Sequence, residues 1–406
     1  MKKDMEEINF LIGDKIESIE ELLNLQSFEV FSNDTLCFLS DISEFLLKVP
    51  EIRKYPDVAT FAFYCRKSNL NKIKRSKIES QNFRIGKGVL FHITPGNVPV
   101  NFAYSLFAGL VTGNINIVKV PSKDFEQVNI IINAIKIILT EEKHKETFSK
   151  RLFIVKYNKD SYATEFFSSL CDVRIIWGGD YTINDVRKFS ISPKTTEVTF
   201  SDRYSIAIIN ADSYLKCINK NKVAQDFYND TYLFDQNSCT SPHTIFWFGN
   251  QDNAREAQEV FWEVFQNKLL EMKFELQPVH AVDKLTTFFS QAISIGDIKK
   301  KFQKSNEIWR VKNNVPHPEI HLFKCNSGYF NEVIISSLNE LTPVINRKHQ
   351  TVGYFGFPIE ELKTWIKIDK PLGVDRIVPI GRTMDFSLIW DGYDLVSAFS
   401  RKIEML

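Results

Sequence analysis

Between residues 88 and 212, short and nearly continuous apolar runs alternate with longer amphipathic stretches. The runs Val89–Ile93, 115–120, 152–155, Val173–Trp177 and 206–209 have the length and β-branched character of buried strands, while 102–110 and 125–139 carry apolar residues at helical spacing. This alternation predicts an α/β fold with a doubly wound parallel sheet, whose ligands bind where strand ends meet helix starts. The first 84 residues are charged and helix-like, with Asn33-Asp34 placed to cap a helix carrying Leu36, Leu39, Ile42 and Leu46 on one face. After Asn210 a helical linker leads to a polar turn, a strand at 244–247 and a helix over 253–272. There is no internal repeat and no low-complexity tract.

A chain of 406 residues exceeds one ordinary core, so two or three domains are expected, one of them split in sequence. Lys and Arg total 51 against 50 Asp and Glu with no long block of either sign, which argues against a nucleic-acid footprint or a basic membrane patch. Small molecules or proteins are the expected partners. Six scattered cysteines without a Cys-x-x-Cys pair, and a charged N-terminus without signal-peptide character, point to a reducing cytoplasm. The most apolar stretch, 98–111, is too short and interrupted to span a bilayer. The 34 phenylalanines read as core packing.

Cys239 stands out chemically. It sits in Asp235-Gln236-Asn237-Ser238-Cys239-Thr240-Ser241-Pro242, where hydroxyls, amides and backbone donors can stabilise a thiolate, unlike the apolar flanks of a structural thiol. Nucleophile on a turn and structural cysteine both remain open from this segment alone. Thr94-Pro95-Gly96-Asn97-Val98-Pro99 follows a strand and precedes a helix, so Asn97 can present its amide where an oxyanion or phosphate is held; the plain alternative is a Pro/Gly turn. Lys119, Pro121, Ser122 and Lys123 likewise end a strand and place ammonium groups beside backbone donors suited to phosphate, or are simply solvated. Trp177-Gly178-Gly179 closes a third strand with glycines that admit a ligand close to the backbone. No Gly-x-Gly-x-x-Gly fingerprint is present. His317 and His321 lie four apart, but Pro318 opposes a helix through both and no third ligand follows, so no metal site is expected.

Taken in order, these segments resemble the aldehyde dehydrogenase superfamily. Pro95-Gly96-Asn97-Val98-Pro99 is similar to its Pro-Trp-Asn-Phe-Pro motif, Val120-Pro121-Ser122-Lys123 to Lys-Pro-Ser/Ala-Glu, Ile176-Trp177-Gly178-Gly179 to Phe-Thr-Gly-Ser, and Gln236-Asn237-Ser238-Cys239 to the nucleophile segment Gly-Gln-x-Cys. The C-terminal third narrows the resemblance. Gln350-Thr351-Val352-Gly353-Tyr354, the stretch Gly373-Val374-Asp375-Arg376 through Arg382, Asp385, and Trp390-Asp391-Gly392-Tyr393-Asp394 resemble LuxC-type acyl-CoA reductases, with the likeness running from about residue 85 to 403.

The resemblance implies an aldehyde dehydrogenase-like architecture: a helical extension over 1–84, an NADP-binding domain over 85–212, a catalytic cysteine domain over 213–385 and a tail over 386–406, with the active site in the cleft between domains. It implies an NADPH-dependent reduction of a fatty acyl thioester to aldehyde through an acyl-Cys239, with Asn97 and the Cys239 N–H holding the oxyanion. Thr94, Pro95, Gly96, Lys119, Pro121, Ser122, Lys123, Trp177, Gly178, Gly179 and Glu340 would contact the cofactor; Lys119 and Glu340 each stand one residue out of the family register. Two departures matter. Phe200 stands where hydrolytic members carry a general-base Glu, with Glu197 three residues earlier, so a thioester-hydrolysing enzyme is disfavoured. Lys123 replaces an acid that binds ribose hydroxyls, which favours a 2′-phosphate and hence NADPH. A Cys239/His243 acyltransferase or thioesterase, and a non-catalytic acyl-carrying subunit, are the competing readings. Asp375, Arg376, Trp390 and Asp391 read as an ion-pair and aromatic lock joining domains. An acyl-CoA or other activated acyl donor, an acyl-protein synthetase, an acyl transferase and a homo-oligomer are the implied partners.

Overall fold

The computed structural model describes residues 8–13, 19–78, 83–159, 161–301 and 305–405. Two compact units divide the chain: Met1–Ser201 with Tyr393–Leu406, and Asp202–Gly392.

The first unit is built on a six-stranded sheet in the order Asn9–Ile12, Leu152–Lys156, Ile115–Lys119, Val89–Ile93, Val173–Trp177, Thr196–Phe200. Only the first strand is antiparallel to its neighbour; the other pairs are parallel. The apolar runs are buried on both faces, as Leu90, Phe91, Ile117 and Ile176 show, which is why they read as continuous rather than alternating. Strand order reverses direction at Val89–Ile93, so right-handed crossovers set successive helices on opposite faces and open a crevice at the carboxyl ends.

The amino-terminal region is less separate than its composition suggests, because Asn9–Ile12 extends this sheet by pairing with Leu152–Lys156. Its main helix, Asn33–Leu46, is capped by Ser32, whose hydroxyl accepts from Thr35 N, rather than by Asn33 or Asp34. Phe38, Leu39, Ile42 and Leu46 are buried, with Leu36 only partly so. The chain's last segment also returns to this unit: Ser400–Lys402 pairs antiparallel with Arg84–Gly86, so the residues from Tyr393 onward do not form a free tail.

The second unit holds a seven-stranded sheet in the order Ile298–Lys301, Trp309–Asn313, Tyr329–Ile335, Pro242–Phe248, Tyr204–Asn210, His349–Phe355, Arg376–Pro379. All its pairs are parallel except that of the first strand. Tyr204–Asn210 lies near the centre of this sheet, which is why the unit begins at Asp202 and not ten residues later. An aromatic core of Tyr214, Phe227, Trp247, Phe261 and Phe265 fills one side. The expected helix is present as Gln251–Glu271, and a further helix, Pro278–Ile295, follows it.

Candidate active site

Cys239 lies in the turn between the short helix Tyr232–Phe234 and the strand Pro242–Phe248. Asp235 and Gln236 both adopt positive φ, 50° and 60°, a conformation that costs a non-glycine residue free energy and persists only where surroundings enforce it. Gln236 supplies that enforcement. Fully buried, its Nε2 donates to Pro242 O at 2.9 Å and Tyr329 O at 3.4 Å, and its Oε1 accepts from Gly328 N at 2.8 Å and Tyr329 N at 3.2 Å. The glutamine three residues before the cysteine is thus a clamp between the turn and the neighbouring strand. Ser205 Oγ donates to Cys239 O at 2.6 Å and fixes the turn to the Tyr204–Asn210 strand. The Cys239 N–H has no acceptor among the described residues, so it is available to an oxyanion.

The polar flank does not act on the sulfur as the sequence suggested. Ser238 Oγ and Thr240 Oγ1 pair with each other at 2.9 Å, Thr240 N donates to Ser238 Oγ, and Thr240 Oγ1 turns to Met384 Sδ. Burial, and then the Asp391 carboxylate, push the thiol up to about 11, against Lys324 and Arg203, which pull it down. The resting group is therefore a thiol, not a thiolate. Arg203 NH1 lies 2.7 Å from Asp391 Oδ1, off the line a hydrogen bond requires, and Arg203 also binds Asp375 and donates to His349 O at 2.8 Å. Burial raises Asp391 to about 6 although the guanidinium opposes it. These ion pairs, and Arg376 over the Trp390 ring, all lie inside the second unit, so they lock that unit internally.

Buried polar atoms without partners gather near the same strand starts: Ser241 Oγ, His243 Nε2, His349 Nε2, Gln350 Oε1 and Thr351 Oγ1. His243 is buried and kept neutral, its pKa pushed well below the usual imidazole value by burial. Its Nδ1 faces Cys325 O at 3.2 Å and its ring stacks on Tyr204. Among the described residues no hydrogen bond joins it to Cys239, which removes support for a Cys/His dyad. Glu340 is likewise occupied: its Oε1 accepts from Ser336 N, Ser336 Oγ and Ser337 N, closing a capping box on the short helix Leu338–Leu341. His321 Nδ1 lies against Pro318 O and Asn346, and His317 Nδ1 accepts from Glu319 N, so the two imidazoles do not converge.

In the first unit the sheet collects three of the segments singled out from sequence. Ile115–Lys119, Val89–Ile93 and Val173–Trp177 are adjacent and parallel, so the loops with Lys123, Asn97 and Gly178-Gly179 all leave from carboxyl ends at the point of reversal. Thr94 Oγ1 donates to Lys119 O at 2.6 Å and ties two of these loops together. Asn97 is exposed, makes no hydrogen bond among the described residues, and sits before the helix Asn101–Val111, outside its first turn. The residue at that helix start is Asn101, whose Oδ1 is buried without a partner and was not foreseen. A Cβ at Gly96 or Gly179 would meet nothing within 4 Å, so internal packing does not demand glycine there. Space is left over both backbones. Ser122 and Lys123 are exposed, while Lys119 is largely buried over the Tyr157 ring and its pKa is lowered, first by burial and then by Lys159.

Two residues of this region have structural partners. Trp177 stacks on Phe200 with centroids 3.7 Å apart, and its Nε1 donates to Ser105 Oγ at 2.9 Å. Glu197 is held by Arg174 at 2.6 Å and Arg187 at 2.7 Å. The Phe200 ring is thus packed against Trp177, and Glu197 is an ion-pair partner.

The fold these units define is that of the aldehyde dehydrogenases. A NAD-dependent benzaldehyde dehydrogenase from Corynebacterium glutamicum superposes with a TM-score of 0.64 at 10% identity, covering 94% of this chain and 86% of that one. A 1-pyrroline-5-carboxylate dehydrogenase from Thermus thermophilus gives 0.60 at 13% identity, covering 94% and 82%. Residues 65–402 match the acyl-CoA reductase (LuxC) family, and the chain belongs to that family. Similar curated proteins are long-chain acyl-protein thioester reductases: that of Aliivibrio fischeri is 27% identical over 164 residues, 40% of this chain and 33% of the relative. That of Vibrio harveyi is 24% identical over 306 residues, 73% and 59%, and that of Photobacterium phosphoreum 24% over 362 residues, 85% and 70%. The chain thus spans a third of the first of these relatives and 59% of the second.

Proposed function

We propose that this protein reduces a long-chain fatty acyl thioester to the aldehyde, with NADPH as reductant and Cys239 as the acyl-carrying nucleophile. The observation that carries the reading is the Gln236-clamped turn, which holds Cys239 with an unengaged N–H in a chain of the acyl-CoA reductase family. The Cys239 thiol gives up its proton as its sulfur attacks the acyl carbonyl, and the donor thiolate departs and takes a proton, leaving acyl-Cys239. The Cys239 N–H and the Asn97 amide stabilise the tetrahedral oxyanion, each such donor being worth about 3 kcal/mol in the barrier. A nicotinamide cofactor, when bound, supplies the hydride that converts the thioester carbonyl to aldehyde. Cys239 then leaves as thiolate and is reprotonated.

The first unit's strand ends fit a dinucleotide. The uncrowded Gly96 and Gly179 backbones, the exposed Ser122 and Lys123, and the reversal of strand order together offer room, donors and positive charge. Lys123 supports a 2′-phosphate and hence NADPH over NADH. Thr94, Pro95, Pro121, Lys119 and Trp177 would shape this site from behind. Glu340, spent on its capping box, is the weakest of the proposed cofactor residues. With Phe200 stacked and Glu197 paired, neither activates water, which supports reduction or transfer over hydrolysis.

The family names CoA and the relatives' name an acyl-protein; either is a long-chain thioester donor, so an acyl-activating synthetase and an acyl transferase are the proposed partner enzymes. A homo-oligomer is part of the same proposal. Among the described residues no helix is long and apolar enough to cross a membrane. The test is to supply long-chain acyl-CoA with NADPH and follow cofactor oxidation together with fatty aldehyde by mass spectrometry. Stoichiometric loss of NADPH and gain of aldehyde is expected; release of CoA without NADPH consumption would assign a transferase instead.

A further inference from the structure

One cluster of metal-ligating side chains shares no residue with the site described above. Cys37 and Asp41 stand one turn apart on the helix Asn33–Leu46, and His144 faces them from the helix Glu142–Phe148. His144 Nε2 lies 2.7 Å from Asp41 Oδ2, Cys37 Sγ lies 3.7 Å from the same oxygen, and the three ligand atoms fall within 4.8 Å of one another. Aromatic packing holds the two helices at this spacing: Phe38, next to Cys37, stacks on Phe148 with centroids 4.3 Å apart and meets the His144 ring at 5.2 Å. His144 is buried and Cys37 exposed, so one ligand is fixed by the core and another is open to solvent. The expectation of no metal rested on sequence spacing, which does not register a histidine 103 residues beyond Asp41. Cys37 and Asp41 also precede the residues 65–402 that match the reductase family, so the cluster draws on this chain's amino-terminal region.

We infer that Cys37, Asp41 and His144 bind a divalent zinc ion, with solvent completing a tetrahedral shell. Bonds of about 2.3 Å to sulfur and about 2.0–2.1 Å to nitrogen and oxygen set tetrahedral sulfur and oxygen ligands about 3.5 Å apart, and nitrogen and oxygen about 3.3 Å apart. The 3.7 Å separation is already of that size, and the 2.7 Å one opens by about half an ångström once a metal replaces the hydrogen bond. A thiolate, an imidazole and a single carboxylate suit zinc, whereas magnesium and calcium take oxygen ligands. Charge fits as well. Lys143 Nζ, on an exposed side chain, sits 2.6 Å from Asp41 Oδ2 and 3.2 Å from Glu141 Oε2, so an ammonium now balances the Asp41 carboxylate. Zinc takes that place as the Cys37 thiol releases its proton to solvent, and Lys143 keeps Glu141 as its partner. A dication, a thiolate, a carboxylate and a neutral imidazole then sum to zero. The ion ties the helix Asn33–Leu46 to Glu142–Phe148 within the first unit.

The inference is independent of the reductase reading, and its test needs no turnover. The full chain, stripped with a chelator and kept reduced by a phosphine, is titrated with cobalt(II) and then with zinc(II). One equivalent of cobalt should give thiolate-to-metal charge-transfer absorption and the intense visible bands of a tetrahedral ion, and zinc should bleach both. Cys239→Ala should keep this signal and Cys37→Ser should lose it, with zinc affinity in Cys37→Ser, measured against a chromophoric chelator, falling roughly 100-fold or more. Lys143→Gln removes the competing ammonium and should raise zinc affinity by roughly tenfold, the opposite of what loss of a merely structural ion pair would do. Zinc should also raise the melting temperature of the parent and leave that of Cys37→Ser unchanged. Both altered side chains are exposed, and circular dichroism checks that the variants fold. A parent without the cobalt–thiolate absorption, absorption that survives in Cys37→Ser, or zinc affinity that falls in Lys143→Gln would overturn the site.

Discussion

The Ser205 hydroxyl donates to the carbonyl oxygen of Cys239 over 2.6 Å and is itself the acceptor of Thr351 N at 3.3 Å. Three neighbouring segments of the second sheet therefore meet at the backbone of one turn. With Gln236 bonded to four backbone groups, the Cys239 turn is held from both sides. Gln236→Ala should leave buried amide and carbonyl groups unpaired, costing about 3 kcal/mol, of which relaxation of the positive-φ backbone at 235 and 236 offsets only part. Ser205→Ala should cost about 1 kcal/mol. Urea denaturation measures both; a Gln236→Ala protein of parental stability would mean the turn is not clamped as described.

The pH dependence of Cys239 follows from its surroundings. With the thiol pushed up to about 11 by burial and then Asp391, deprotonation is far from complete at neutral pH. Alkylation by iodoacetamide should accelerate about tenfold per pH unit from pH 7 to 9 with no plateau. Asp391→Asn removes a group that raises the thiol's pKa, so alkylation at pH 8 should be faster than in the parent by roughly two- to tenfold. That difference should shrink below about pH 6, where the parent's Asp391 takes up its own proton. A plateau setting in near pH 7 would show instead that the resting cysteine is a thiolate.

Lys123 is exposed in the loop after Ile115–Lys119, so its replacement should not disturb folding. Lys123→Glu should weaken NADPH by roughly tenfold or more while affecting NADH much less, through loss of a charge-assisted contact and added repulsion of the 2′-phosphate. Fluorescence titration with each cofactor reads this directly. Unchanged preference would remove Lys123 from the site.

Asn97 offers an exposed amide with no internal bond to lose. Asn97→Ala should keep parental stability and NADPH affinity while slowing acylation roughly 100-fold, because the amide acts only as charge develops on the carbonyl oxygen. Normal acylation with lost cofactor affinity would make the 94–99 turn a cofactor loop.

Four strands of the first sheet and the two central strands Tyr204–Asn210 and Pro242–Phe248 of the second were legible because their apolar runs are buried on both faces and bounded by turn residues, whereas Tyr329–Ile335, His349–Phe355 and the outer strands of both sheets went unread. The strand-end loops followed from that reading, since parallel topology puts carboxyl ends on one edge. What escaped depends on contacts between residues distant in sequence. Nothing local shows that Trp177 will stack on Phe200, that Glu197 will be taken by Arg174 and Arg187, or that Ser400–Lys402 will pair with Arg84–Gly86. Hydroxyls around Cys239 suggested a stabilised thiolate, yet they bond to one another and to the backbone, an outcome set by rotamers that spacing does not specify. The helix cap moved to Ser32 because capping follows the backbone's entry into the helix, and Ser, Asn and Asp stand side by side there. Pro278–Ile295 went unread as a helix although Pro278 at its start and the apolar spacing at 279, 282, 285, 289 and 293 both mark one.

The central claim is that the acyl group travels on Cys239. Incubating the protein with radiolabelled long-chain acyl-CoA in the absence of NADPH should trap label on Cys239 alone among the six cysteines, released by hydroxylamine as a thioester and discharged as aldehyde on adding NADPH. Cys239→Ala should take no label and make no aldehyde. Label on another cysteine, or aldehyde formed by Cys239→Ala, would contradict the covalent route.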